Sequence, residues 1–280
     1  MAEAKLHWLS HKTSSWLQAK AHRRRPFPPL PPAQLARFAK EHVEFAARAW
    51  PMKAAEELRS AAIFSELQRL SILCDLPIDV SMVLASAAQD ELLHAELCLQ
   101  VAGRLGAAGG VADLDTVWQR FASHPEGRER FLALLLVEVA IGETISCALF
   151  RAAARNSGEP LTRAAFSLIL HDEAVHSRIG WEVLAAIRPE LSTDECLLLS
   201  EELRQQFALL EQSAAVPSLL RLESGTSFPS ALTELGILSP ESRVNAFYDS
   251  LEKRILPKLD SLALWGTAAW EHRYKPQVLP

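Results

Sequence analysis

The chain has 280 residues, 49% of them hydrophobic, and a formal net charge of −5 at pH 7. This length and apolar fraction are sufficient for one large domain with a full core. The acidic balance and the lack of a dominant basic stripe argue against nucleic-acid binding. The cysteines stand far apart without a C-x-x-C pair, which argues against a disulfide scaffold or a zinc knuckle. With no recognisable secretory signal, we expect a cytoplasmic protein with free thiols. The cysteines are Cys74, Cys98, Cys147 and Cys196.

Apolar residues recur at intervals of three and four positions, which predicts helices along most of the chain. Pro51 suits the first turn of a new helix, and glycines after residue 102 suit the end of another. No segment alternates with a period of two for long enough to indicate a sheet. In chain order we predict an arm over 1–32, an accessory helix over 33–49, long helices over 51–74 and 78–104, a short helix over 113–122, long helices over 127–156 and 160–188, and further helices over 192–275.

The connections between the four long helices predict how they pair. Short turns join the first to the second and the third to the fourth, whereas a long segment links the second to the third. One long crossover in the middle is typical of a ferritin-like bundle. We therefore predict an all-α fold with a ferritin-like four-helix bundle over 51–188. Residues 1–50 would form an N-terminal arm and accessory helix, and residues 189–280 a C-terminal helical region packed on the bundle.

The predicted helix over 127–156 is apolar on nearly every face, yet it contains Glu138 and Glu143. Such a helix is either buried in a core or spans a membrane. A charged side chain in the middle of a membrane would cost about 2.5–3.5 kcal/mol or more. A buried helix is therefore the better interpretation, and we expect no membrane span. Because residues 131–150 contain no Lys or Arg to neutralise these carboxylates, the pattern is a first indication of a bound metal.

Two of the long helices carry the same metal-binding pattern. Asp90 is followed by Glu91-x-x-His94, and Asp172 is followed by Glu173-x-x-His176. Residues three apart lie on one face of a helix, one turn apart, so each Glu and His can reach the same metal. Two such pairs, with one further Glu from each of two other helices, form the two-metal carboxylate site of helical bundles.

The spacing of hairpin partners identifies candidates for the two further carboxylates. Glu143 precedes Glu173 by 30 residues, and Glu57 precedes Glu91 by 34 residues. Paired antiparallel helices bring residues at such separations to the same level of the bundle. We prefer Glu57 and Glu143 because both share their helix face with small or apolar residues. The rival carboxylates at comparable separations are Glu138 and Glu66.

Residues around these six define the rest of the predicted site. A metal-bound histidine usually donates its second ring N–H to a carboxylate. We therefore predict that Asp172 supports His94 and that Asp90 supports His176, across the bundle. Helical spacing also yields pocket-lining candidates, although the same spacing fits ordinary core packing. These candidates are Phe64, Ser146, Cys147 and Phe150.

Taken together, these motifs resemble the ferritin-like di-iron carboxylate superfamily, and most of all its bacterial oxygenase or oxidase members. The resemblance covers about 51–188. It implies that two iron ions are bound, with manganese or a mixed iron–manganese pair as the alternative. It also implies that Glu91 bridges the metals together with either Glu143 or Glu173. The implied ligands are Glu57, Glu91, His94, Glu143, Glu173 and His176.

The resemblance implies redox chemistry with dioxygen. The first hypothesis is an oxidoreductase that activates O2 to oxidise a small organic substrate, with an electron donor as partner. The second is a ferroxidase or peroxide scavenger, and the third is a metal-free helical interaction protein. A homodimer would agree with the resemblance, and no catalytic residue beyond the metal ligands is predicted.

Overall fold

The computed structural model describes residues 28–107, 115–225 and 227–274, and no β-strand occurs within them. The prediction of an all-α fold is confirmed. The part of the predicted arm over 1–27 lies outside the described residues. The described helices are α1 (Lys40–Leu73), α2 (Ile78–Arg104), α3 (Asp115–Ala122), α4 (Arg128–Asn156), α5 (Pro160–Ile187), α6 (Thr193–Ala214), α7 (Val216–Glu223), α8 (Ser230–Glu234), α9 (Pro240–Ser250, continued by Leu251–Ile255 and Leu256–Ser261) and α10 (Gly266–Glu271).

The first long helix differs from its prediction. Helix α1 runs without interruption through Pro51, so the predicted break between an accessory helix and the bundle is wrong. Proline inside a helix costs about 3 kcal/mol. Burial offsets this cost, because Ala47, Trp50 and Ala54 are all buried around Pro51. The indole N–H of Trp50 also donates to the carbonyl of Leu235, 3.1 Å away. The expected boundary at residue 50 therefore lies inside α1.

Four long helices surround the centre of the molecule. Helix α1 packs along α2, and α4 packs along α5. Helix α2 also contacts α5, and α1 contacts α4, so each of the four helices touches two others. The long link between α2 and α4 contains α3. The C-terminal helices α6 and α9 lie against α4.

Helix α4 is the central element of this arrangement. It is long and apolar enough to cross a membrane by length and composition, but 72% of its most apolar stretch is buried inside the protein. This burial is typical of a core helix. Its middle segment, Leu135–Gly142, is π-helical and ends directly before Glu143. A π-helical segment inserts an extra residue into the helical repeat and thereby changes where the following side chains point.

A glycine permits the close approach of α5 to this π-helical segment. A Cβ atom on Gly180 would lie 2.5 Å from the backbone nitrogen of Ala140, so only glycine fits at this crossing. The next residue, Trp181, donates from its indole nitrogen to Thr144 Oγ1 at 2.9 Å. Thr144 in turn donates to the carbonyl of Ala140 at 2.6 Å. These contacts fix the position of α4 around Glu143 relative to α5.

Candidate metal centre

Six buried side chains from four helices converge between α1, α2, α4 and α5. Each long helix contributes at least one carboxylate, and the two Glu-x-x-His pairs lie on α2 and α5. None of the six is more than 5% exposed. They are the six predicted ligands: Glu57, Glu91, His94, Glu143, Glu173 and His176.

The two Glu-x-x-His pairs form the tightest part of this cluster. One potential ligand atom from each of Glu91, His94, Glu173 and His176 lies within 4.8 Å of the others. His176 Nδ1 is 2.6 Å from Glu91 Oε1, and His94 Nδ1 is 3.4 Å from Glu173 Oε1. This group is buried and compatible with metal binding.

The other two predicted glutamates flank the tight group. Glu57 Oε2 lies 3.6 Å from His94 Nδ1. Glu143 shares a hydrogen bond with Glu173. The structure thus brings Glu57 and Glu143 to the same cluster, as hairpin spacing predicts.

The two rival carboxylates lie elsewhere and have basic partners. Glu138 accepts from Arg120 Nε at 3.0 Å. Glu66 accepts from Arg69 Nε at 2.8 Å and from Arg130 Nη1 at 3.1 Å. Because arginine compensates both carboxylates, neither requires a metal.

The two aspartates meet the histidines in the predicted cross-bundle pairs. Asp172 Oδ2 lies 3.5 Å from His94 Nε2, and Asp90 Oδ2 lies 3.4 Å from His176 Nε2. Both histidines therefore direct Nε2 toward an aspartate and Nδ1 toward the glutamates. An imidazole that donates Nε2–H to a carboxylate has its Nδ1 lone pair available for a metal.

The flanking glutamates resist ionisation in the protein alone. Burial raises the pKa values of Glu57 and Glu143 well above the ordinary range of a glutamic acid. Repulsion from Glu91 and Glu173 acts in the same direction. Both effects are expected where several carboxylates share a dry site without a cation.

The histidines behave in the opposite way. Burial disfavours the imidazolium form, but neighbouring carboxylates outweigh burial and raise the pKa of His94 well above its usual range. In the same way, Glu91 and Asp90 raise the pKa of His176 to about 10. Burial likewise disfavours the charged form of Glu91, yet the two histidines hold its pKa below the ordinary value. Protons therefore balance part of the charge of the cluster in the protein alone.

The donor set is compatible with a hard or borderline cation. Four carboxylates and two neutral imidazoles suit iron or manganese. Glu173 Oε2 is fully buried and accepts no hydrogen bond from any residue that the structure describes. A buried carboxylate oxygen without a donor is costly, and coordination to a cation would satisfy it.

The predicted pocket residues occupy different positions around the cluster. Phe64 is fully buried, and its ring centre is 5.4 Å from that of His176. Cys147 is buried one turn after Glu143, and Ser146 is half-buried beside it. Phe150 lies farther along α4 and packs against Phe166, with ring centres 5.9 Å apart. Phe64 is therefore the candidate with the most direct contact to the cluster.

The hydrogen bond between Trp181 and Thr144 was not foreseen from the sequence. Thr144 directly follows Glu143, and Trp181 is its partner on α5. A buried threonine next to a candidate ligand in an apolar helix is a signal that could have indicated such a contact. Its partner could not be identified without the packing of α4 on α5.

No protein-family model matches the chain, and no curated protein matches it significantly. The class of this protein rests on its fold and site: it is an all-α protein with a buried Glu/His cluster compatible with metal binding.

Proposed function

We propose that this chain is a non-haem di-iron oxidoreductase that activates O2 and oxidises a small organic substrate. One observation carries the proposal: four buried glutamates and two buried histidines from four helices meet in one cluster. This ligand set, with two Glu-x-x-His pairs and two single glutamates, is that of two-metal carboxylate proteins.

The position of Glu91 supports a two-metal centre over a single metal. Its Oε1 lies 2.6 Å from Nδ1 of His176, and its Oε2 lies 3.5 Å from Nδ1 of His94. One carboxylate thus reaches both imidazoles with different oxygens. On this proposal Glu91 would hold iron together with both His94 and His176. Glu57 and Glu173, which both lie near His94 Nδ1, would supply further carboxylates, as would Glu143, which shares a hydrogen bond with Glu173.

Bound iron would supply the electrons for reducing O2 and the oxidising power toward the substrate. The protein's own residues position this chemistry. Asp172 and Asp90 hold the two imidazole rings in one tautomer and orientation. Phe64 and the apolar residues of α4 exclude water from the cluster. The carboxyl groups of Glu57 and Glu143 would release their protons when a cation binds, because the cation takes the place of those protons.

The electron donor, the cytoplasmic location and a homodimer stay predictions that accompany this proposal. Manganese, or one manganese with one iron, is the alternative metal content, because the same donor set suits both metals.

Oxygen reactivity tests the proposal. The protein would be loaded with Fe(II) without oxygen, freed of excess metal, and exposed to O2 while Fe(II) oxidation and O2 consumption are recorded. We expect rapid oxidation of the bound iron, followed by further O2 consumption only when a reductant is supplied. Glu57→Ala should abolish the rapid phase. The neighbouring Glu56 is exposed and pairs with Arg59, so Glu56→Ala is the matched control and should retain it.

The other outcomes separate the rival functions. Repeated oxidation of added Fe(II), with ferric iron released and no need for reductant, would favour a ferroxidase. Slow oxidation at the rate of free Fe(II), equal in the Glu57→Ala variant, would contradict a metal-based function and favour a helical interaction protein.

A further inference from the structure

A second concave region is lined in part by Arg151, which contacts Cys147 on α4. The C-terminal half of α4 and helix α9 line an open cavity of about 500 Å³. This volume lies within the range of small-molecule sites in proteins, about 300–1,000 Å³. The residues lining it are Ala148, Arg151, Ala152, Arg155, Asn156, Ser242, Asn245, Ala246, Asp249, Ser250, Lys253 and Arg254.

The lining of this cavity is strongly basic in an acidic protein. It contains three arginines and one lysine but a single acidic residue, Asp249. The whole chain, in contrast, has a formal net charge of −5. Local excess positive charge in a concave site concentrates anions there.

The arginines of the cavity lack carboxylate partners among the described residues. Lys253 Nζ pairs with Asp249 at 2.6 Å, which accounts for the one acidic residue in the lining. Arg151 Nη2 donates only to Cys147 Sγ at 3.6 Å, and neither Arg155 nor Arg254 forms an ion pair within the described parts of the chain. Of the three, Arg155 and Arg254 are exposed and Arg151 is half-buried, whereas the half-buried Arg120 and Arg130 meet glutamates.

The rest of the lining suits an organic molecule with an anionic group. Asn156, Ser242 and Asn245 offer neutral hydrogen-bonding groups, and three alanines supply a small apolar surface. Guanidinium groups bind carboxylate and phosphate oxygens through paired N–H donors. We propose that this cavity binds a small organic anion, with its carboxylate or phosphate group held by Arg151, Arg155 and Arg254.

This binding does not require iron, so it is separate from the proposed function. Arg151 joins the two sites in the structure, because it contacts Cys147, which lies one turn after Glu143 on α4. The metal-free protein is therefore the proper material for the first test.

Titration calorimetry at constant ionic strength tests the proposal with two probes, inorganic phosphate and succinate. We expect at least one of them to bind with one site per chain. The double variant Arg151→Gln/Arg254→Gln should weaken that binding at least tenfold. Arg48 is exposed on α1, a helix that contributes nothing to the cavity lining, so Arg48→Gln is the matched control and should change the affinity less than twofold.

A second variant keeps the proposal testable if the double variant folds poorly. Asp249→Asn removes the only acidic group in the lining and releases Lys253, so it should tighten binding about threefold. Saturable binding of phosphate alone would identify phosphate esters as the ligand class, and binding of succinate alone would identify carboxylates. Absence of saturable binding for both probes, or equal weakening by Arg48→Gln, would overturn the proposal.

Discussion

Two glutamates five residues apart in the same buried helix have opposite surroundings. Glu138 accepts a hydrogen bond from Arg120 at 3.0 Å. Burial, together with the carboxylates of Glu173, Glu91 and Glu57, raises the pKa of Glu143 well above its ordinary value. The two also differ in burial, because the side chain of Glu138 is 26% exposed and Glu143 is 5% exposed. What distinguishes Glu143 is that it lies among carboxylates and histidines and pairs with none of the described arginines.

The surroundings of Glu138 form an ionic network. Arg120 on α3 pairs with Glu138 on α4 and with Glu202 on α6, and His124 Nε2 lies 3.2 Å from Glu202 Oε2. This network joins three helices through protein groups alone. The cluster around Glu143 joins four helices, and metal ions would take the place that arginine has in the network.

The largest expected effects come from replacing the two glutamates separately. Glu143→Ala should reduce bound iron from two per chain to below one, without destabilising the metal-free protein, because it removes a carboxylate from a crowded site. Glu138→Ala should retain two irons but lower the free energy of unfolding by about 1.5–3 kcal/mol, the value of a charged hydrogen bond. Metal analysis and urea unfolding of both variants provide the check. Equal iron content in the two variants would remove the distinction.

Metal removal should affect the protein only through the Glu143 cluster. A ligand at about a hundred times its Kd stabilises the folded state by about 2.7 kcal/mol. Chelation of the iron-loaded protein should therefore lower its melting temperature, and the same chelator should leave the Glu143→Ala variant unchanged. Calorimetric melting with and without chelator measures both. An identical melting temperature for the loaded and the chelated wild-type protein would contradict this expectation.

Two helical glycines should respond oppositely to alanine. In Gly180→Ala the added Cβ would meet the backbone of Ala140 at 2.5 Å, at the crossing that holds Glu143 in place. We expect a loss of about 1–3 kcal/mol in the free energy of unfolding from this overpacking. Gly103 in α2 has no atom within 4 Å of an added Cβ, so Gly103→Ala is the control and should stabilise by about 0.5–1 kcal/mol. Destabilisation of similar size in both would show that the crossing is not tight.

The smallest expected effect is a pH dependence confined to the ionic network. Burial lowers the pKa of His124 below its ordinary value of 6.5, with Arg120 acting in the same direction and Glu202 and Glu129 opposing. The unfolded chain therefore binds a proton before the folded protein does. The contribution of His124 to the free energy of unfolding is fully present above pH 6.5. It is lost as the pH falls from 6.5 through the lowered pKa that His124 has in the folded protein.

Urea unfolding of the wild-type protein and of His124→Gln checks this sign. The difference in stability between the two should be larger at about pH 7.5 than at about pH 5.5, since only the wild-type protein loses the contribution of His124. A difference in stability that grows toward low pH would mean that the attraction of Glu202 outweighs burial and raises the pKa of His124.

The sequence predicted the helices well where local rules govern them. Helix α2 begins and ends as predicted, and α4 and α5 differ from their predictions by one residue. The predicted break at Pro51 failed because the packing of Trp50 and Ala54 outweighs the local preference of proline. The π-helical segment before Glu143 was not predicted either; in the structure Gly180 packs closely against it, a tertiary contact that residue spacing does not reveal.

The candidate site was predictable because it is built from repeated short motifs. The Glu-x-x-His spacing places each pair on one helix face, and hairpin separations place Glu57 and Glu143 at the same level. Spacing alone left Glu138 and Glu66 as rivals to Glu143 and Glu57. Only the arginines that pair with Glu138 and Glu66 in the structure distinguish these rivals from the cluster residues. The basic cavity was not predicted, because Arg151 and Arg254 come to line one cavity only through the packing of α9 on α4.

The metal content after anaerobic loading with Fe(II) tests the central claim most directly. We predict two irons per chain in the wild-type protein and in Glu56→Ala, and fewer than one in Glu143→Ala. Iron near zero in the wild-type protein, with manganese and zinc also failing to bind, would contradict the claim that this cluster holds two metals.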